Sequence, residues 1–146
     1  IYKKDLVGIE KLLNDGLDIN CLDKDGRSAL IHAVLDSESS EMIVKLLIEN
    51  GIDVNIKDNP QQWSALHFAV RDNKKDIVKI LLENNAAIDA VDAHGNTPLW
   101  RAVMSFTSDE SLICELVRLG ADPEKENNSG ISPRALAQRM GVTIHF

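Results

Sequence analysis

The stretch Ser64-Ala65-Leu66-His67-Phe68-Ala69-Val70 returns as Thr97-Pro98-Leu99-Trp100-Arg101-Ala102-Val103, an offset of 33 residues. Upstream the same column reads Ser28-Ala29-Leu30-Ile31-His32-Ala33-Val34, offset by 36, and downstream Ser132-Pro133-Arg134-Ala135-Leu136-Ala137, offset by 35. A second column lies between these: Gly16-Leu17-Asp18-Ile19-Asn20, Gly51-Ile52-Asp53-Val54-Asn55, Asn85-Ala86-Ala87-Ile88-Asp89 and Gly120-Ala121-Asp122-Pro123-Glu124. Ahead of each runs an apolar stripe with aligned positions Ile9, Val44, Val78 and Ile113, then Leu12, Leu47, Leu81 and Leu116, then Leu13, Ile48, Leu82 and Val117. Spacings of three and four mark a helix with one wet face. Two columns kept in register over four copies identify an internal repeat.

The unequal offsets have places. From Ala33 to Gly51 is 18 residues, from Ala69 to Asn85 is 16 and from Ala102 to Gly120 is 18, so the first and third copies carry two extra residues between their helices. From Gly51 to Ser64 is 13, against 12 elsewhere, which puts one extra residue in the loop holding Pro60.

The slots also have reasons. Ser28, Ser64, Thr97 and Ser132 offer hydroxyls to cap a first helix, and Pro98 and Pro133 suit its first position. Gly16, Gly51, Asn85 and Gly120 suit a left-handed cap at the end of a second helix. Gly26, Gly95 and Gly130 close turns opened by Asp23, Asp92 and Asn127. Thr107 and Glu110 have capping-box spacing for the second helix of the third copy.

This pattern resembles the ankyrin-repeat family, whose motif runs Asp-x-x-Gly-x-Thr-Pro-Leu-His-x-Ala-Ala and whose second helix ends in Gly-Ala-Asp-Val-Asn. The resemblance implies an all-α solenoid of helix-turn-helix units with projecting β-turn fingers, in about four repeats with incomplete terminal ones. Its expected divisions are a partial unit over 1–22, repeats over 23–57, 58–91 and 92–126, and a partial capping repeat over 127–146, all within one domain. Ala29 and Ala65 depart from the motif's Pro, Ile31 and Trp100 from its His, and Gln62 from the finger Gly. The first unit is represented only by its second helix, about Asp5 to Asn14. Arg134 stands where other copies have Leu, which fits a terminal unit, and Val142 to Phe146 is too short for a full second helix.

Composition bounds the rest. The chain has 146 residues and a formal net charge of −7, with 44% hydrophobic and 27% charged residues. That suits a soluble intracellular, cytoplasmic protein, with no apolar run long enough to span a membrane and no signal-like start. Clusters of Lys and Arg no larger than Lys3-Lys4 or Lys74-Lys75 argue against nucleic acid. Cys21 and Cys114 are expected to be free thiols, Cys114 in a polar column and comparatively exposed.

Each of the four histidines has a structural place: His67 in the motif's His slot near Ser64, His32 at a groove edge or in packing, His94 on a finger tip and His145 in the tail. Their spacing makes no metal set, and no nucleophile has a nameable base, so neither catalytic residues nor metal nor cofactor is expected. The segment Asp36-Ser37-Glu38-Ser39-Ser40-Glu41 reads as a solvated turn, with phosphorylation as its functional alternative.

By resemblance, then, the function is protein binding through the concave surface of fingers and inner helices, by a chain monomeric on its own. The variable slots there are Lys24, Arg27, Gln62, Trp63, Arg71, Asp72, His94, Asn96 and Met104. Trp63 is the sharpest of them, because Trp is enriched at interface hot spots; the alternative is that it folds back over the loop containing Pro60. Trp100 reads as packing. The partner is another protein, and the charge would steer the chain towards a basic toxin or enzyme. Small acidic members of the family resemble the immunity proteins that bacteria pair with secreted toxins, which makes inhibition one version of the function. A targeting or scaffold segment of a longer multidomain protein is the other.

Overall fold

The computed structural model describes residues 11, 15–16, 18–36 and 41–146. They form seven helices: α1 (Ala29–Leu35), α2 (Glu41–Glu49), α3 (Ala65–Arg71), α4 (Lys75–Glu83), α5 (Pro98–Met104), α6 (Ser111–Arg118) and α7 (Pro133–Met140). The expected helix at Asp5 to Asn14 lies outside the described residues except for Lys11, and so do Ser37 to Ser40 of the first inter-helix turn. Among the described residues the strand-like feature is one isolated antiparallel bridge, Lys57 to Ser64.

The helices form an inner and an outer layer. Inner helices pack in sequence, α1 on α3, α3 on α5 and α5 on α7, while α2, α4 and α6 pair with the inner helices that precede them. The core is the repeated column: Leu30, Leu66 and Leu99 are fully buried, with Val34, Val70 and Val103 one turn on and the stripe residues Val44, Leu47, Val78, Leu81, Ile113 and Leu116 behind them. Each full burial of such a side chain is worth about 1.5–3 kcal/mol. The small Ala33, Ala69 and Ala102, also buried, let neighbouring inner helices approach.

Caps follow the hydroxyl column. Ser28 Oγ accepts from the Ile31 N–H (3.4 Å), Thr97 Oγ1 from Trp100 (3.1 Å) and Ser132 Oγ from Ala135 (3.2 Å). The outer helices end on left-handed residues, Gly51 (φ 85°), Asn85 (φ 66°) and Gly120 (φ 105°). At each, the next N–H reaches back to a carbonyl five residues earlier: Ile52 to Leu47, Ala86 to Leu81, Ala121 to Leu116. This is the Schellman closure. The Thr107 and Glu110 capping box is not formed. The two extra residues prolong the turn, α6 begins only at Ser111, and Asp109 Oδ1 accepts from the Ser111 N–H at 2.9 Å.

The second sequence column is a staple between units. Asn20 Oδ1 accepts from the Asp53 N–H (2.8 Å), Asn55 Oδ1 from Ala87 (2.8 Å) and Asp89 Oδ1 from Asp122 (3.1 Å). Within a unit, the Asp two residues earlier receives its own turn's N–H, as Asp53 does from Asn55 and Asp122 from Glu124.

After α7 the chain runs extended instead of forming an eighth helix. Val142, Ile144 and Phe146 pack on the core, and the Arg134 guanidinium lies 4.8 Å from the Phe146 ring centroid. The His145 backbone N–H and Nδ1–H both donate to the Glu110 carboxylate, at 3.1 and 2.9 Å, and the Cys114 thiol donates to the His145 carbonyl at 3.4 Å. Those His145 bonds hold the Glu110 carboxyl below its ordinary value. Cys114 is therefore half-buried, and Cys21 exposed; both are free.

Candidate partner-binding surface

Every finger is a loop closed by its first residue. The Asp23 N–H donates to the Arg27 carbonyl while Asp23 Oδ1 accepts from the Arg27 N–H; Asp92 does the same with Asn96, and Asn127 with Ile131. In the second finger Asp58 pairs with Trp63, one residue further on, which is where the extra residue is absorbed. Gln62 adopts the left-handed φ of 59° that a finger Gly would take. It is held there by donating from Nε2 to the Asp58 carbonyl and to Asn59 Oδ1. Adjacent fingers are joined by backbone bonds, Asn59 N–H to Asp25 O, Ala93 to Gln61 and Asn128 to His94. The fingers thus form a continuous, hydrogen-bonded edge to the groove.

His67 ties one unit to the next. Its Nδ1 accepts from the Ser64 N–H (3.2 Å) and lies 2.9 Å from the Ser64 hydroxyl, so Nε2 carries the proton and donates to the Asn96 carbonyl at 3.2 Å. Burial pushes its pKa down to about 4, so the ring is neutral. Trp100, in the same slot of the next unit, makes no such bond, and its buried indole N–H has no partner among the described residues.

The centre of the face is built on Trp63. It is 8% exposed, stacked against His67 with centroids 6.0 Å apart and tilted against Phe68 at 5.1 Å. Two guanidinium groups cover it, Arg71 at 5.5 Å and Arg101 at 4.6 Å from the ring centroid. Contacts of this kind are worth about 0.5–2 kcal/mol each. The ring is buried against His67 and Phe68 rather than presented at the surface.

Each of these cations is oriented by an acid. Arg71 Nε and Nη2 donate to Asp72 at 2.6 and 2.9 Å, a bidentate pair that raises the Arg71 pKa and lowers that of Asp72. Arg101 donates from Nε and Nη2 to Asp92 Oδ2. Burial alone would raise the Asp92 carboxyl, but Arg101 and the N–H groups of Asn96 and His94 outweigh it and leave it lowered. His32 Nε2 lies 2.7 Å from Asp23 Oδ2 at the same nine-residue spacing. The second finger's extra residue places Phe68, not a base, opposite Asp58, whose Oδ2 instead lies 3.7 Å from Arg27 Nε of the preceding finger.

The expected contact residues therefore separate. Lys24, Gln62, Arg71, Asp72, His94 and Met104 are exposed, Met104 by 55% despite being apolar, and Arg27 is half-buried. Trp63 and Asn96, the latter 4% exposed, are buried and support the surface from below. Asn96 donates to Asp92 from its backbone and side chain, and its Oδ1 accepts from Asn127 Nδ2 of the next finger at 2.7 Å. Arg101, absent from the expected set, lies over the Trp63 ring. Its signal in the sequence is the nine-residue spacing from Asp92. Beside Arg71, where the longer third turn stands against the shorter second one, a cavity of about 260 Å³ opens between Val70, Ala102, Phe106 and Leu112. Among the described residues no three His, Cys, Asp or Glu side chains converge to hold a metal ion, and no helix is long and apolar enough to cross a membrane.

Comparison with known proteins agrees with this geometry. The family model described as ankyrin repeats (3 copies) matches residues 2–92 and 43–127. The intracellular phospholipase A2 of Caenorhabditis elegans is 34% identical over 139 residues, covering 90% of this chain and 13% of that protein. Ankyrin repeat domain-containing protein 63 of Mus musculus is 30% identical over 142 residues, 92% of this chain and 36% of the relative. The nuclear factor NF-kappa-B p105 subunit of Gallus gallus is 30% identical over 156 residues, 82% of this chain and 16% of the relative. The chain spans well under half the length of these relatives. Ankyrin repeats are in general protein–protein interaction modules. With helix pairs, finger turns and both repeat columns in place, and a family match across most of its length, the chain belongs to the ankyrin-repeat family.

Proposed function

We propose that this domain is non-enzymatic and binds a partner protein along the face made by the fingers and the inner helices α1, α3, α5 and α7. The observation that carries this reading is a division of labour. The fold's own hydrogen bonds and packing use His67, Asn96 and Trp63, while Lys24, Gln62, Arg71, His94 and Met104, from three successive units, stay exposed. An exposed methionine beside paired charges is the mixture of apolar and polar groups that interfaces use.

The test is positional. A photo-crosslinking residue at Met104 or His94 captures the partner in extract of the source cells, whereas one at Lys79 or Glu83 on the outer helix α4 does not. Capture confined to the outer positions would sink the reading. If the partner is a basic toxin or enzyme steered by the charge of −7, the chain acts as its inhibitor, and adding the chain suppresses the captured partner's activity.

A second reading draws on the relatives. A domain of this kind occupies 13% of a protein named for phospholipase activity, which favours a targeting or scaffold segment within a longer chain. The mass of the native protein separates the two, because a mass well above this chain's supports the segment.

A further inference from the structure

We propose that the docking face receives an acidic peptide segment of its partner, whose carboxylates bind the guanidinium groups of Arg71 and Arg101 over the Trp63 ring and of Arg27 in the preceding finger. This rests on the reading that the partner docks on the finger and inner-helix face, and it names the chemistry of what docks there.

The net charge of −7 would suggest the opposite partner, but net charge says nothing about where the acids point. Two of the acids on this face, Asp58 and Asp92, are turned inward. The Asp58 side chain is 1% exposed and that of Asp92 is 0%, while their bases Arg27 and Arg101 remain 33% and 21% exposed. In each pair the basic side chain is the more exposed of the two. Arg71 adds a third guanidinium, 39% exposed, with Asp72 beside it.

Orientation is fixed as well. Arg71 and Arg101 each commit Nε and Nη2 to an aspartate, and both guanidinium groups lie over the same indole. A guanidinium has five N–H donors, so each Nη1 is left without a carboxylate among the described residues. Held planar groups with donors to spare suit the geometry of carboxylate recognition, and their conformational entropy is lost before binding.

The experiment titrates the isotope-labelled chain, followed by NMR, with a capped octapeptide of glutamate and separately of lysine. The glutamate peptide is expected to shift the Nε–H signals of Arg71 and Arg101 and the indole N–H of Trp63 saturably, against the overall negative charge, with the effect weakening as salt is added. Arg71→Gln, with Asp72 part-exposed and its folding checked by thermal unfolding, should bind about 5-fold more weakly. A lysine peptide that moves the same signals, or a glutamate peptide that moves none, overturns the proposal. The crosslinking test keeps the two readings apart. Capture at Met104 and His94 of a partner segment rich in Lys and Arg leaves the docking face standing and removes this inference, whereas capture only on α4 removes both.

Discussion

His67 makes all its hydrogen bonds as a neutral ring with no exposed surface, and this has a measurable cost in acid. Its folded pKa of about 4 lies below the ordinary value near 6.5, so between those values the unfolded chain binds a proton that the folded chain refuses. The stabilisation is complete above pH 6.5 and is lost as pH falls, by roughly 3 kcal/mol at pH 4. Urea unfolding at pH 7.5, 5.5 and 4 should show that decline, and His67→Leu, less stable throughout, should show a flatter one. Equal stability at all three pH values would contradict the neutral ring. Trp63 makes a different point. Truncating a buried ring held between two guanidinium groups and Phe68 should cost about 3–5 kcal/mol of folding free energy, so Trp63→Ala should lower the melting temperature sharply rather than affect binding alone. A variant that melts like the parent would return Trp63 to the surface. The inward turn was not legible from the Trp63 slot itself, which holds Arg27, Asn96 and Ile131 elsewhere. It depends on Arg71, eight residues on, and on Arg101 in the next unit, a coincidence of two copies that column-by-column comparison does not test.

At the scale of the element, the finger shows what spacing can and cannot reveal. The closing residues Asp23, Asp92 and Asn127, their glycines and the extra residue of the second finger were all readable, because a hydrogen-bonded turn fixes residue type to position. The joining of finger to finger was not, since it runs through backbone atoms that any residue supplies. Its consequence appears at glycine. Gly95 (φ 78°) and Gly51 (φ 85°) are both left-handed, but a Cβ on Gly95 would lie 2.5 Å from Asn128 Oδ1 and 2.8 Å from its backbone nitrogen, while one on Gly51 would meet nothing within 4 Å. Gly51→Ala should therefore cost only the left-handed penalty, about 1–2 kcal/mol, and Gly95→Ala should cost more because the next finger must move. Chemical unfolding of the two variants decides it, and equal losses would mean the finger ladder carries no stability. The start of α6 departs from the Thr107 spacing for a related reason. A capping box was expected at Thr107, but in a turn lengthened by two residues Asp109 is the better placed acceptor, and it also takes an ion pair from Lys75 at 2.8 Å.

Over the whole molecule, contacts run between neighbouring units, so stability is set unit by unit and junction by junction. The inner layer is continuous from α1 to α7, and in the outer layer α2 packs on α4; α4 and α6, however, meet only sparsely. Between them lies a cleft of about 490 Å³ lined by Leu82, Ala86, Ile88 and Leu119, with Leu119 44% exposed. The junction is bridged at one end by Lys75 to Asp109 and Ser111. What steadies α6 on its other side is the extended tail, through His145 on Glu110 and Cys114. Amide hydrogen exchange should therefore find α3 and α4 the most protected helices and α6 less protected than α4, although the buried Ile77, Val78 and Leu81 of α4 have buried counterparts in Leu112, Ile113 and Leu116. Removing Val142 to Phe146 should speed exchange in α6 far more than in α4. If α4 and α6 exchange alike in both proteins, the sparse junction has no energetic consequence and the outer layer behaves as one piece.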